Sequence, residues 1–347
     1  MSAAPIEILA TQRPLTSRRR IRGWWGSAAL ILLLTVLSLA GLPASLRWNN
    51  VQNLDSAVRH PPTFLPVVPL ERFVSTTSLP PLQGGTKGGQ RVSIPWWTRA
   101  AHYATSWLGH DDLGRSLLYR LLPAFLLSMV IGLSAAAMAV IIGTLWGATA
   151  AMAGGKTDLL MMRIVDVLYG LPYILMVILL KIALTRPLAA LLGGHTRAAD
   201  LVVLLIAIGS VSWLTMARVI RGQVLSLREQ PFVEAARAAG AGPWHILCWH
   251  LLPNLIGPIV VYATLVMPQA ILQESFLSFL GIGIQQPTPS LGNLAADGVH
   301  AINLYVSYWW LIVFPCGVLA LTLLALNFLG DALRDAYDPR SSASTWI

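Results

Sequence analysis

Residues 228–254 read REQPFVEAARAAGAGPWHILCWHLLPN and lie between two long apolar stretches. Apolar and small residues recur here at the spacing of one helix face: Phe232, Ala235, Ala236 and Ala239. Gly240 and Gly242 allow a sharp turn after that helix, and Pro243 suits the first turn of a second helix, which Pro253 is predicted to end. The pattern therefore predicts two short helices joined by a tight turn.

The composition of the whole chain indicates a membrane protein. Of its 347 residues, 55% are hydrophobic and only 11% are charged, whereas soluble domains have roughly 25% charged residues. The net charge of +9 does not indicate nucleic acid, because Lys and Arg collect at the ends of apolar runs and form no patch with interleaved aromatics. Cys248 lies in the polar interruption and Cys316 in an apolar run, so no disulfide framework is expected.

Six apolar stretches are long enough to cross a bilayer, which takes roughly 20 residues. They are residues 24–46, 123–150, 164–184, 200–220, 256–280 and 309–330. Pro172 and Pro268 inside them are tolerated, because neighbouring helices can satisfy the freed carbonyl groups. Lys181, Arg186 and Arg197 are assigned to the loop after the third span. The sequence predicts an all-α integral membrane protein with six transmembrane helices.

The distribution of positive charge predicts the orientation. With the amino terminus inside, the inner segments hold more than half of the 24 Lys and Arg, whereas the loop 281–308 holds none. Such a bias marks cytoplasmic segments, so both termini are expected in the cytoplasm. The first apolar run could also be a cleaved signal with a small-residue site near Ser38 and Ala40. Its core exceeds the usual 7–15 or so residues, which favours an uncleaved anchor.

These spans divide the chain into five parts: a cytoplasmic basic tail (1–23), the first transmembrane helix (24–46), an extracytoplasmic Pro/Gly-rich segment (47–122), a five-helix core (123–330) and a cytoplasmic tail (331–347). The five-helix core includes a loop at residues 221–255. An amphipathic helix is predicted at the outer interface from the spacing of Leu113, Leu117, Leu118, Leu121 and Leu122. Its Arg115 and Arg120 are expected to face water or headgroups.

Three groupings that suggest chemistry are incomplete. Gly155-Lys156-Thr157 resembles the end of a phosphate-binding loop, but Ala150 stands where that motif needs Gly. His245, Cys248 and His250 suggest a metal, but on a regular helix His250 lies on a different face and a fourth ligand is missing. Nothing in the sequence confines His110, Asp111 and Asp112 for acid–base work. No nucleophile–base pair is visible, so neither an enzyme nor a metal or cofactor site is expected.

Two carboxylates lie at the ends of spans. Glu274 and its neighbour Gln273, near the outer end of the fifth span, are candidates for lining or gating a transport pathway, since a charged group within a span usually faces a cavity or a partner. The alternative is that the Glu274 carboxylate reaches the interface or caps the end of the helix. The sequence leaves these alternatives equal. Asp166 lies at the inner end of the third span, and Arg163 three residues earlier is its expected partner.

Several stretches resemble a known family. EAARAAG followed by HLLPN, within SLREQPFVEAARAAG, is similar to the EAA loop of binding-protein-dependent ABC importer permeases. Within that family, the sequence resembles most specifically the C-type permease subunit of the dipeptide, oligopeptide and nickel branch. Four further stretches agree: DDLGRSLLYRLL, GGKTDLLMMRIVD, ESFLSFLGIGIQQPTPSLGNLAADG and NFLGDALRDAYDPR. The family often has an acidic residue at Pro231, but a proline there can start the helix.

The resemblance implies a type I ABC importer permease fold and a cytoplasmic coupling loop. The matching residues, which would form the surface that docks in an ATPase, are Glu234, Ala235, Ala236, Gly240, Leu252 and Pro253. The implied partners are a B-type permease, two cytoplasmic ATPase subunits and an extracytoplasmic solute-binding protein, with peptides as the expected solute. The alternatives are a secondary transporter, for which no internal repeat is visible, and a membrane-embedded enzyme.

Overall fold

The computed structural model describes residues 17–48, 59–64, 102–303 and 305–337. Over these residues the regular structure is helical, apart from one isolated bridge between His110 and Ser116. Several predictions fall outside the described residues: the basic tail up to residue 16, most of the Pro/Gly-rich segment, including Lys87, and the end of the chain from residue 338.

The described helices are α1 Ser17–Trp48, α2 Leu117–Ala153, α3 Gly155–Tyr169, α4 Tyr173–Leu191, α5 Thr196–Leu227, α6 Pro231–Ala238, α7 Pro243–His245, α8 Leu252–Phe279, α9 Leu291–His300 and α10 Trp310–Tyr337. A π-helix, Ile246–Leu251, joins α7 to α8. By length and composition, six helical segments among the described residues could cross a membrane. The prediction of an all-α protein with six spans is therefore confirmed.

The third span differs from its prediction. Gly170, Leu171 and Pro172 separate α3 from α4, so the membrane-length helix begins at Tyr173 and not at residue 164. Proline disfavours helical backbone in the residue before it, which explains the break. Lys181 and Arg186 consequently lie within α4 and not in the following loop. Lys181 Nζ donates to the carbonyl oxygens of Ile282 and Gly283, 2.6 and 2.8 Å away, beyond the end of α8.

Helix α2 packs closely against α5 through small residues. Ala139, Gly143, Gly147 and Ala151 recur every four residues and so share one face of α2. A Cβ atom on Gly147 would lie 2.3 Å from the carbonyl oxygen of Ala217 on α5, which no side chain could tolerate. Small residues let two helix backbones approach closely. The resulting van der Waals contacts stabilise the pair, because lipid supplies no hydrophobic driving force between helices.

The largest buried cluster lies where α2, α5 and α8 meet. It joins Met216 and Ile220 of α5 to Leu251, the last residue of the π-helix, and to Leu255 of α8. Val233 of the short helix α6 also belongs to this cluster and is fully buried. The polar interruption of the sequence is thus packed on the end of the helical bundle.

Candidate functional site

Helix α6 is held on the bundle by one face. It starts at Pro231, in the first helical position, where the missing N–H has no intrahelical partner to lose. Val233 enters the core cluster and Ala236 packs against it. Glu234 and Ala235 are exposed on the same helix. The helix therefore presents Glu234 and Ala235 outward from a well-anchored base.

A glycine-dependent turn ends α6. Gly240 has φ +85°, and its N–H donates to the carbonyl of Arg237 at 2.9 Å. The N–H of Ala241 donates to the carbonyl of Ala236 at 3.0 Å, which completes a Schellman motif. Gly240 is thus needed for its left-handed backbone, as the predicted turn requires, whereas Gly242 has φ −71° and does not need to be glycine.

The second predicted helix does not stop at Pro253. Helix α7, the π-helix and α8 run on without a break from Pro243 to Phe279. Pro253 cannot donate an N–H to the carbonyl four residues back, and the wider π turn just before it accommodates that loss. Leu252 packs against the core cluster and Pro253 is exposed. Helix α7 is therefore continuous with the fifth span.

The predicted face of small residues is divided in the structure. Ala235 and Ala239 are exposed, but Ala236 is half-buried against the bundle. Three large apolar side chains are exposed nearby in sequence, namely Phe232 at 41%, Trp244 at 68% and Trp249 at 72%.

The histidines near this surface lie closer together than predicted. The rings of His245 and His250 have centroids 5.9 Å apart, because the π-helix between them turns less per residue than an α-helix. Within the described part of the chain, however, no group of three or more His, Cys, Asp or Glu side chains could hold a metal ion. Cys248 and Cys316 are free thiols.

Charged pairs tie the ends of the helices together near this segment. Arg221 of α5 donates two hydrogen bonds of 2.6 Å to Asp158 of α3, and these hold the pKa of Asp158 below its usual value. Arg228 donates to the carbonyl of Ala151 at 3.0 Å. The predicted pairing of Asp166 with Arg163 is wrong: Arg218 of α5 binds Asp166 at 2.9 Å, which links two helices and not two turns of one.

Glu274 is fully buried and is held by hydroxyl groups. Ser128 of α2 donates to Glu274 Oε2 at 3.0 Å, and Ser278 of α8 donates to Oε1 at 2.8 Å. Of the two alternatives left open by the sequence, contact with an internal partner is the one observed. Glu274 does not line either of the two cavities that its neighbour Gln273 lines.

Gln273 and Tyr173 lie at two adjoining cavities. The first, of about 350 Å³, lies between the end of α3, α4, α5 and α8, and contains Ser212 and Tyr262 in its walls. The second, of about 490 Å³, is a more open groove lined otherwise by apolar residues such as Phe276. Gln273 Oε1 and Tyr173 Oη are buried and find no hydrogen-bond partner among the described residues.

Contrary to the prediction, the structure shows no separate interfacial helix among the described residues around Leu113–Leu122. The leucines from Leu117 onward form the first turns of α2, and Arg115 and Arg120 are buried. Asp111 Oδ2 accepts a hydrogen bond from Arg115 Nε at 2.6 Å and another from Arg120 Nη1 at 2.7 Å. Arg120 also binds Asp297 of α9 at 3.1 Å. We call Asp111, Arg115, Arg120 and Asp297 the outer ion cluster.

Sequence reasoning missed several of these residues. Val233 gives no distinguishing signal, because the neighbouring Phe232 is also apolar and is exposed. Tyr173 gives no signal, because an aromatic residue at the start of a span is ordinary. The link from Arg120 to Asp297 joins residues 177 positions apart, and no local pattern records such a contact.

These features define a multi-pass membrane protein with a helical pair packed on one end of its bundle. The chain belongs to the family of binding-protein-dependent transport system inner membrane components, whose profile matches residues 139–343. It is 40% identical to the oligopeptide transport system permease protein OppC of Bacillus subtilis, over 67% of this chain and 72% of that one. It is 42% identical to the dipeptide transport system permease protein DppC of the same organism, over 68% and 69%.

Another relative and a solved structure agree with this assignment. The OppC protein of Escherichia coli K12 is 42% identical over 70% of this chain and 73% of its own length. The MetNI methionine ABC transporter, solved in inward-facing conformations, matches with a TM-score of 0.50 over 64% of this chain and 98% of that one, at 19% identity. The fold is that of a type I ABC importer permease.

Proposed function

We propose that this chain is one of two permease subunits of an ATP-driven importer and forms half of the pathway for peptides across the cytoplasmic membrane. Identities of 40–42% to permeases of oligopeptide and dipeptide transport systems support the peptide as solute. A B-type permease supplies the other half of the pathway, and a solute-binding protein delivers the peptide from outside.

The helical pair α6–α7 carries the proposal for coupling. Two cytoplasmic ATPase subunits hydrolyse ATP, and one of them receives the exposed side of this pair. Glu234 and Ala235 are exposed there, Val233 anchors the pair to the core, and the chain continues from α7 into α8 without a break. A rigid link of this kind turns closure of the ATPases into movement of the fifth span. Gly240 gives the turn its backbone conformation, and Leu252 and Pro253 lie where the helical pair joins α8.

This assignment requires the pair to lie in the cytoplasm, together with both termini. The loop between α8 and α10, which lacks Lys and Arg, is then outside. The pathway runs on the side of α8 that carries Gln273, and Glu274 supports that side from within.

The test uses the assembled transporter with its ATPases and binding protein in proteoliposomes. Ala235→Trp adds a large side chain to an exposed position, so the permease should insert normally and lose the ATPases on co-purification, together with ATP-dependent peptide uptake. Ser307→Trp, at an exposed position between α9 and α10, is the matched control and should keep the ATPases. Wild-type ATPase retention and uptake in Ala235→Trp would show that ATPases dock elsewhere.

Ala236→Trp is a poorer probe, because Ala236 packs against the core of its own chain. Enlarging a packed position costs about 1–3 kcal/mol through overpacking. Its effect would therefore combine misfolding of α6 with loss of docking. The exposure of Ala235 separates the two.

A further inference from the structure

The cavity of about 350 Å³ beside Gln273 has the size and chemistry of a ligand site. Small-molecule sites occupy roughly 300–1,000 Å³ and combine apolar walls with a few placed polar groups. Here α8 contributes Tyr262, Gln269 and Gln273, whose spacing of seven and four residues places them on one face. Helix α5 adds Ser212 and Thr215 from the opposite wall.

Among the described residues, none that lines this cavity is charged. Its polar groups are amides and hydroxyls, which both donate and accept hydrogen bonds. A metal ion or a free carboxylate would find no opposite charge in these walls. A neutral group that has both a donor and an acceptor fits them better.

Two polar atoms at this cavity lack partners. Gln273 Oε1 and Tyr173 Oη are buried and make no hydrogen bond within the described chain. A buried polar atom without a partner costs free energy, and most such atoms in folded proteins are paired. A ligand that supplies the missing partners would recover that cost on binding.

We propose that Gln273 and Tyr173 form a subsite for the main-chain amide of a peptide in transit. Both atoms have almost no solvent-accessible surface, so the two side chains must rotate towards the cavity before Gln273 Oε1 can accept a hydrogen bond from the peptide N–H and the Tyr173 hydroxyl can donate to its C=O. The adjoining groove, with Leu272 and Phe276 in its wall, receives an apolar side chain. Main-chain recognition is independent of the peptide's sequence. The proposal rests on peptide import as the function.

The test measures initial uptake by the complete transporter in proteoliposomes of trialanine and of trialanine methylated on its central amide nitrogen. N-methylation removes the donor that Gln273 would accept. In Gln273→Leu, the uptake ratio of trialanine to its methylated analogue should fall roughly three- to tenfold relative to wild type, the size of one lost hydrogen bond. Discrimination by the binding protein cancels, because it is common to both transporters.

The matched control is Gln223→Leu, the same change at an exposed position on α5 that does not line the cavity. It should keep the wild-type uptake ratio. Tyr173→Phe should lower uptake of both peptides while the thermal stability of the assembled transporter stays unchanged, because the Tyr173 hydroxyl makes no hydrogen bond to any described residue.

Two failures can be told apart. If wild type imports trialanine and Gln273→Leu keeps the wild-type ratio, the subsite is refuted and peptide import stands. If wild type imports no trialanine, and takes up a sugar or metal chelate in its place, the proposed function fails and the subsite falls with it. Loss of thermal stability in Tyr173→Phe would assign its hydroxyl a structural role and contradict the proposal.

Discussion

The replacement Asp111→Asn tests whether the outer ion cluster stabilises the protein. The Asp111 carboxylate accepts side-chain hydrogen bonds from both Arg115 and Arg120, and backbone N–H groups of Leu113 and Arg115 bind its other oxygen. Asparagine keeps nearly the same shape and one carbonyl oxygen, so it can retain the backbone contacts. The charge is what is lost.

The expected cost follows from burial. The side chain of Arg120 is 0% exposed and that of Asp111 is 4% exposed, so the guanidinium has no access to water once its partner is neutral. Removing one member of a buried ion pair costs about 3–5 kcal/mol. Asp297 remains within 3.1 Å of Arg120 and offsets part of this, which places the expected loss at the lower end, about 3 kcal/mol.

The neighbouring residue offers a matched control. Asp112 makes an ion pair with Arg59, and their side chains are 47% and 33% exposed. Exposed pairs contribute about 0–1 kcal/mol, so Asp112→Asn should have little effect. The two variants make the same chemical change at adjacent positions, one in a buried carboxylate with several partners and the other in an exposed carboxylate with one.

The assay is equilibrium unfolding of the purified chain in mixed micelles, with the free energy of unfolding compared among wild type, Asp111→Asn and Asp112→Asn. Arg120→Met in the Asp111→Asn background should recover part of the loss, because it removes the more deeply buried of the two guanidinium groups that lose Asp111. Equal and small losses in the two single variants would refute the reasoning that burial gives this cluster its strength.

Three further predictions address pH, topology and the turn. Burial lowers the pKa of His110 to about 4, below its value near 6.5 in the unfolded chain. The contribution of the neutral imidazole to the free energy of unfolding is therefore fully present above about pH 6.5 and falls by up to about 3 kcal/mol as the pH drops towards 4. His110→Phe should remove this pH dependence from unfolding curves measured between those pH values. Cysteines placed at Lys87 and at the exposed Ser307, in the loop between α8 and α10, should react with a membrane-impermeant reagent in intact cells, and a cysteine at Glu234 should react only after permeabilisation; labelling of Glu234→Cys in intact cells would reverse the orientation. A Cβ on Gly240 meets nothing within 4 Å, so Gly240→Val should be destabilising through its positive φ alone and Gly240→Asn milder, since Asn tolerates that region; equal losses in thermal unfolding would contradict this account.

Much of the architecture could be read from local patterns. Apolar runs of sufficient length predict spans whatever their neighbours are, because lipid requires every backbone polar group to be paired within a helix. The turn at Gly240 was likewise visible, since a glycine after a helical run supplies the left-handed cap. Hydropathy alone does not locate the break before Tyr173, because residues 164–184 are predominantly apolar throughout, although Pro172 indicates the break.

The candidate site was only partly predictable. Residues 273 and 274 are adjacent in sequence, so both were assigned one possible role, but neighbouring positions on a helix point about 100° apart. Glu274 faces the serines of α2 and α8, and Gln273 lies at the cavities. The burial of Ala236 against the bundle, while Ala235 is exposed, has the same geometric origin.

The sequence by itself determined the class of fold, the six spans and the turn of the helical pair, because each depends on residues close together in the chain. Only the tertiary structure decided which partners the charged and polar side chains have. Arg120 meets Asp297 across 177 positions, Asp166 pairs with Arg218, and Glu274 is held by Ser128 of another helix. These contacts depend on how the helices pack side by side. The close approach of α2 and α5 at Gly147 is one of the features that determine this packing. A buried charge must find its partner wherever packing brings one, and proximity in space is not recorded in local spacing.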